Sequence, residues 1–182
     1  YYSITPEVPD DLAQHYTRHH LAGAARGEGI LERLAGYGFS EMIRPGAQCL
    51  DLGCGTAGFA AAGAARGMAV VGVDIAFRWL VIGRKRLEVL GLEDIPLVCA
   101  CAEHLPFPAL AFDLVVAEGL LEHTHTQDEI FREATRVRRL GGAFAARTVN
   151  RFALGPEPHG GGWGVGFLPR RWMAHYVRRI KG

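Results

Sequence analysis

CLDLGCGTAGFA, residues 49–60, decides how the rest of the chain is read. Cys49 to Leu52 is a short apolar run broken only by Asp51, with the length of a buried strand. Gly53, Gly55 and Gly58 follow, then the alanine-rich stretch Phe59 to Ala65. That pattern is a strand, a tight glycine turn and the start of a helix. Glycine suits the turn because it adopts backbone angles a side chain forbids and lets a ligand approach the main chain closely. Sixteen residues past Gly58, a second apolar run, Ala69 to Val73, ends in Asp74. A strand, a glycine loop, a helix and a second strand ending in an acid form a nucleotide-binding half of a doubly wound α/β sheet.

The spacing Gly53-x-Gly55-x-x-Gly58 fits a dinucleotide fingerprint, and Asp74 stands where a ribose-binding acid belongs. Asp51 discriminates. It lies two positions before the first glycine, at the mouth of the loop, where a dinucleotide would bring its pyrophosphate. Two like charges about 5 Å apart cost roughly 3 kcal/mol at an effective dielectric near 20. S-adenosylmethionine brings an ammonium, a sulfonium and no phosphate, so an acid here attracts it. No Lys followed by Ser or Thr occurs in the loop, which excludes a phosphate-cradling P-loop.

A chain of 182 residues, 49% of them apolar, is one domain with a real core. No apolar run approaches the roughly 20 residues of a membrane span, and there is no charged-then-apolar start of the signal-peptide kind. Cys49, Cys54, Cys99 and Cys101 lie in or beside expected strands; they read as reduced thiols of a cytoplasmic protein, and no paired CxxC spacing suggests zinc. Charge is uneven. Residues 1–131 hold 9 Lys and Arg against 17 Asp and Glu, residues 132–182 hold 11 against 2. Either the basic part meets an anionic partner, or the two parts pack together and neutralise.

Outward from the loop, three stretches are assigned. Residues 1–46 read as a helical arm. Its first helix is capped by Asp10 or Asp11, runs through Tyr16 to about Ala25, and is broken by Gly27 and Gly29. A short second helix follows over Ile30, Leu31 and Leu34. His15 and His19 are one turn apart, with His20 beside them, but no carboxylate or cysteine completes a metal site. Residues 47–149 read as the cofactor-binding core. There an amphipathic helix from Phe77 to Leu90 carries Arg84, Lys85 and Arg86 between its apolar positions. Pro96 to Ala100 and Phe112 to Ala117 are further strands. A helix capped by Thr126 or Asp128 runs to Arg139, is ended by Gly141-Gly142, and leads to strand five, Ala143 to Val149. Residues 150–182 form a Gly/Pro-rich loop and a basic helix. Strands alternating with helices predict a mainly parallel sheet with right-handed crossovers.

Ligands of such sheets bind beyond the carboxyl ends of the strands. Those ends carry Asp51, Gly53, Cys54 and Gly55; Asp74 and Ile75; Cys101, Ala102 and Glu103; and Glu118 followed by Leu121-Glu122-His123. With these residues in hand, the chain resembles a class I S-adenosylmethionine-dependent methyltransferase of the ubiquinone/menaquinone-biosynthesis type. The resemblance rests on CLDLGCGTAGFA (49–60), VVGVDIA (70–76), AEHLPFPALAFDLVVAEGLLEH (102–123) and REATRVRRLGGAF (132–144). It implies a Rossmann-like fold. It also implies that the glycine loop holds the amino-acid part of the cofactor, Asp74 its ribose, and Cys101 to Glu103 its adenine. Asp51 would help hold the ammonium end through water, and Tyr16 matches an aromatic that often closes over the cofactor. The chain departs from the family's pattern at Ala57, where glycine is frequent, and at Cys101, where Asp is usual.

Residues 150–172 are similar to a segment that follows strand five in some of these enzymes, which brings Glu157, His159 and Trp163 toward the substrate end. His159 and His123 are the candidate general bases. Methyl transfer asks mainly for alignment of nucleophile and sulfonium, so the expected activity is methylation of a small molecule at O, N or C, releasing S-adenosylhomocysteine. The family's sheet has seven strands and five are readable. The chain is therefore expected to be a fragment lacking the last two, with strand five an open edge through which a dimer would form. The alternatives are a cofactor-binding or scaffold protein with decayed activity and a nucleic-acid methyltransferase. Against the latter, no Asn-Pro-Pro-Tyr tract follows strand four and no aromatics interleave with the basic residues.

Overall fold

The computed structural model describes residues 23–124 and 126–150, with positions 152, 163, 164, 167–169, 171, 172, 175, 176 and 179 beyond them. The expectations for Tyr16, for the cluster of His15, His19 and His20, and for Glu157 and His159 lie outside the described residues. The chain divides into two compact units, Tyr1–Arg147 and Thr148–Gly182. In the second, the rings of Phe152 and Phe167 lie 5.4 Å apart. The Tyr176 hydroxyl donates to the Trp163 carbonyl at 3.2 Å.

The first unit is a parallel sheet with helices on both faces. In chain order its elements are α1 (Gly23–Leu34), β1 (Gln48–Leu52), α2 (Gly58–Ala65), β2 (Ala69–Asp74), α3 (Phe77–Val89), β3 (Leu97–Cys99), β4 (Phe112–Glu118), α4 (Gln127–Val137) and β5 (Arg138–Arg147). The strand order is β3-β2-β1-β4-β5, and all four pairings are parallel. The chain steps outward from β1 to β3, then returns to lay β4 on the other side of β1. That reversal opens a crevice between the carboxyl ends of β1 and β4, the place where such sheets bind ligands.

Period-two alternation divides each central strand between two cores. Cys49, Val70, Leu114 and Val116 pack with Ile30, Leu31 and Leu34 of α1 and Phe59 to Ala62 of α2. Leu50, Leu52, Val73, Val115 and Ala117 pack on the other face with Ala134 and Val137 of α4. These runs are apolar on both sides because a parallel sheet is covered on both sides. Asp51 shares the parity of Cys49, so it belongs to the face under α1.

Three local expectations are corrected. Gly27 and Gly29 do not break the first helix; α1 passes through both. A Cβ at Gly27 would lie 2.3 Å from the Gly58 carbonyl oxygen, and one at Gly58 would lie 2.2 Å from that of Gly23. Here glycine permits two helix backbones to cross in contact rather than terminating either. The turn comes later, where Gly38 takes φ +89°. At the other end, α4 stops at Val137, and β5 begins at Arg138 rather than Ala143 and ends at Arg147. The pairing jumps from Phe112↔Arg138 to Leu114↔Ala143, so residues 139–142 bulge out of the ladder. Gly141-Gly142 forms that bulge and not a helix end: Gly141 has φ +77°, and a Cβ at Gly142 would lie 2.6 Å from the Asp113 carbonyl. Third, Thr126 occupies the N-cap position of α4 without capping it; its hydroxyl donates to Glu103 at 3.1 Å.

The charge asymmetry is resolved partly by internal pairing. Arg139 meets Asp113 at 2.8 Å and Arg147 meets Glu118 at 2.5 Å, each joining the basic segment to an acid before residue 131. Among the described residues, no helix is long and apolar enough to cross a membrane.

Candidate cofactor site

The loop after β1 is built from the main chain. The N–H groups of Gly53 and Cys54 both donate to the Val73 carbonyl, at 2.8 and 3.0 Å, which ties the loop to the end of β2. Gly53 and Gly55 have φ +73° and +52°, and Ala57 completes the series at +59°. The fingerprint glycines thus serve two purposes: Gly53 and Gly55 make the turn, and Gly58 makes room for α1. Ala57 takes the left-handed conformation that glycine would take at lower cost, with its methyl fully buried.

Asp74 locks the same loop. One carboxylate oxygen accepts from the Gly55 N–H at 2.9 Å and the other from the Ala76 N–H at 2.8 Å. Each oxygen keeps a further acceptor position. Ile75, next to it, is 72% exposed, an apolar side chain standing at the mouth of the crevice. Arg86 holds the loop from the far side: one of its nitrogens donates to both the carbonyl and the hydroxyl of Thr56, at 2.8 and 2.7 Å. In the sequence Arg86 reads only as one of three basic residues between the helix's apolar positions. Only the crossing of α3 over the loop turns it inward.

Asp51 is buried, and its Oδ2 has no hydrogen-bond partner. Burial pushes its carboxyl up to about 7; the nearby Asp74 and Glu118 push the same way, while Arg26 and the Ala60 N–H oppose. A buried acid in that state is poised to accept a cation. Burial also raises the thiols of Cys49 and Cys54, reinforced by Asp51, so both are neutral and unreactive.

The ends of β3 and β4 are closed by side chains. Ala102 is buried with Leu121 and Ile130. Cys101 and Glu103 are half-buried, and Glu103 accepts from Thr126. The Leu105–Phe107 stretch is pinned by α4. Arg136 donates to the carbonyls of Phe107 and Leu105 at 2.8 and 3.0 Å, and Glu133 accepts the Leu105 N–H at 2.7 Å while pairing with Arg136. His123 is exposed in a short 3₁₀ turn, Leu121–His123. Glu118 lies at the end of β4, but its carboxylate is taken by Arg33 of α1 at 2.6 Å and Arg147 of β5 at 2.5 Å. Arg26 also feels Glu118 and Asp51. None of these three arginines carries a motif; each is placed by an element remote in sequence.

A glycine loop after β1, an acid closing β2 and a crevice at the β1/β4 reversal define a Rossmann-like nucleotide-cofactor protein. The chain belongs to the methyltransferase-domain family, whose pattern matches residues 50–146. Fold and family are those of class I S-adenosylmethionine-dependent methyltransferases. A demethylmenaquinone methyltransferase of Bacillus cereus is 36% identical over 103 residues, 55% of this chain and 44% of that protein. Methyltransferase GfsG of Streptomyces halstedii is 35% identical over 147 residues, 79% of this chain and 48% of that one. Among solved structures, a SAM-dependent methyltransferase from Aquifex aeolicus superposes with a TM-score of 0.62 at 14% identity, covering 88% of this chain and 81% of that one, a likeness of fold. The chain spans about half the length of the curated relatives it matches.

Proposed function

We propose that this chain forms the cofactor-binding core of an enzyme that transfers a methyl group from S-adenosylmethionine to a small-molecule acceptor. The carrying observation is the orphaned, buried oxygen of Asp51 at the start of the glycine loop. The residues present fit the cofactor. Asp51 supplies an anion for its ammonium group, and Arg26, within the influence of Asp51, supplies a cation for its carboxylate. The remaining acceptor positions of Asp74 suit the ribose hydroxyls. Ile75 offers an apolar face to the adenine, and Cys101, Ala102 and Glu103 line the opposite edge. Tyr16, His123 and His159 remain candidates for closure and for proton removal.

When bound, the cofactor supplies a methyl group already activated on a sulfonium. The protein's share is to bind, orient and exclude water, and fixing two reactants in line is worth up to about 7–11 kcal/mol. The rigid crossing of α1 over α2, the Arg86 clamp on Thr56 and the Glu133–Arg136 pin on residues 105–107 provide that fixity. The demethylmenaquinone methyltransferase relative supports a small-molecule acceptor.

Calorimetry with S-adenosylmethionine, S-adenosylhomocysteine and NADH as control tests the reading. Both sulfur ligands are expected to bind and NADH is not. Asp74→Ala should weaken binding about tenfold to a hundredfold, the range for hydrogen bonds to a charged group. Because the Asp51 carboxyl sits near 7, it must lose its proton to meet the ammonium. Affinity should therefore fall more than about tenfold from pH 7.5 to 5.5, and Asp51→Asn should flatten that dependence. Binding of NADH but of neither sulfur ligand would sink the proposal.

A further inference from the structure

We infer that the Arg33–Glu118–Arg147 bridge is an anion-recognition element and that the acceptor is a small acid, carrying a carboxylate or a phosphate. The inference rests on the methyltransferase reading and adds the chemical class of the substrate.

Arg33 comes from α1 and Arg147 from the last residue of β5, and both donate to the same oxygen of Glu118, at 2.6 and 2.5 Å. Arg26 lies close enough that both guanidiniums influence it, along with Glu118. Three guanidiniums therefore gather around the Glu118 carboxylate. Even with Arg26 and Asp51 matched to the two charges of the cofactor's amino-acid end, one guanidinium is left in excess over Glu118. Such an excess in a concave wall selects for anions, and a guanidinium fork matches a planar carboxylate or a phosphate.

The shape agrees. A cavity of about 360 Å³ is lined by Ala25, Arg26, Gly29, Arg33, Glu118 and Arg147. A second, of about 240 Å³, has apolar walls from Ile30, Leu34, Tyr37 and Phe144 and shares Arg33, Glu118 and Arg147 with the first. The bridge is thus the common wall of a charged and an apolar compartment. Glu118 is only 14% exposed, whereas the side chains of Arg33 and Arg147 are 38% and 64% exposed. The guanidiniums are thus more open to solvent than the carboxylate that occupies one donor of each. An acid with an apolar body fits that division. Both cavities lie at the carboxyl ends of β4 and β5, beside the crevice that takes the cofactor.

A purely structural bridge would make the same contacts, so the test must separate the two. The protein is titrated with benzoate, phenyl phosphate and the neutral benzyl alcohol, with and without S-adenosylhomocysteine, and followed by NMR shifts of the backbone amides and arginine Nε–H groups. Both acids are expected to bind saturably and to shift Arg33 and Arg147, with the alcohol at least about tenfold weaker. Arg147→Gln should weaken both acids about tenfold or more, the loss expected for one charge-assisted pair. Glu118→Gln is the sharper variant: removing the competing carboxylate should tighten both acids, whereas a structural bridge would loosen and bind less. Equal affinity for benzoate and benzyl alcohol, absence of saturable shifts at the two arginines, or weaker binding in Glu118→Gln would each overturn the inference. Binding of S-adenosylhomocysteine without the acids removes this inference alone; binding of the acids without S-adenosylhomocysteine supports the anion site and removes the cofactor reading.

Discussion

The two sides of the crevice are built from different materials. On the β1–β2 side the wall is main chain: glycine turns, amides donated to Val73 and Asp74, and a helix crossing so close that no Cβ fits. On the β4–β5 side the wall is side chain: Arg33, Glu118 and Arg147, with Arg136 and Glu133 holding the neighbouring loop. A main-chain wall tolerates few substitutions, because backbone geometry leaves no slack. A side-chain wall can be rewritten residue by residue without moving the sheet. On the proposed function, the main-chain side holds the cofactor and the side-chain side chooses the acceptor.

The largest expected effect tests the main-chain side. Gly58→Ala drives a methyl group into the Gly23 carbonyl and should cost about 3 kcal/mol. For a chain of this size, Tm should fall by about 10 °C, read by urea or thermal unfolding, with cofactor binding lost together with the crossing. An unchanged Tm would mean that α1 does not bear on the loop.

A smaller effect tests the side-chain wall. The Arg136 hydrogen bond holds the Glu133 carboxyl down to about 2, against an ordinary value of 4.5. A carboxyl lowered in the folded state contributes stability that is full above its unfolded value and is lost as pH falls through the folded one. Glu133→Gln should therefore cost about 1–2 kcal/mol at pH 7, and the two proteins should converge near pH 2. A difference independent of pH would show that shape, not charge, holds residues 105–107.

The smallest effects compare two left-handed residues, Ala57 in the loop and Leu110 before β4, with φ +59° and +58°. Leu110 is 49% exposed, so Leu110→Gly exchanges strain relief for the buried half of a leucine, about 1 kcal/mol, and should change stability by less than about 1 kcal/mol. Ala57 is fully buried, so Ala57→Gly exchanges similar relief for a buried methyl of about 0.8 kcal/mol and should be near neutral. Unfolding midpoints check both, and a large gain at either position would mean that its side chain is not packed.

The core strands, the loop, Asp51 and Asp74 were legible in the sequence because period two, left-handed turns and strand-end acids are local properties. Glycine was legible as a residue but not as a role. Gly27 and Gly29 read as breakers, and Gly141-Gly142 as a helix end, because what each glycine must avoid belongs to another segment. Arg86 read only as a basic position of an amphipathic helix, for the same reason.

By itself the sequence determined the parallel sheet, the order of its elements and the acid at the mouth of the glycine loop, since each follows from the conformational limits and polarity of adjacent residues. Only the tertiary structure decided which charges meet. Arg33 and Arg147 stand 85 and 29 residues from Glu118 along the chain, and the reversal between β1 and β4 brings them to one oxygen. Coulomb interactions depend on distance in space, and spacing along the chain does not encode that distance.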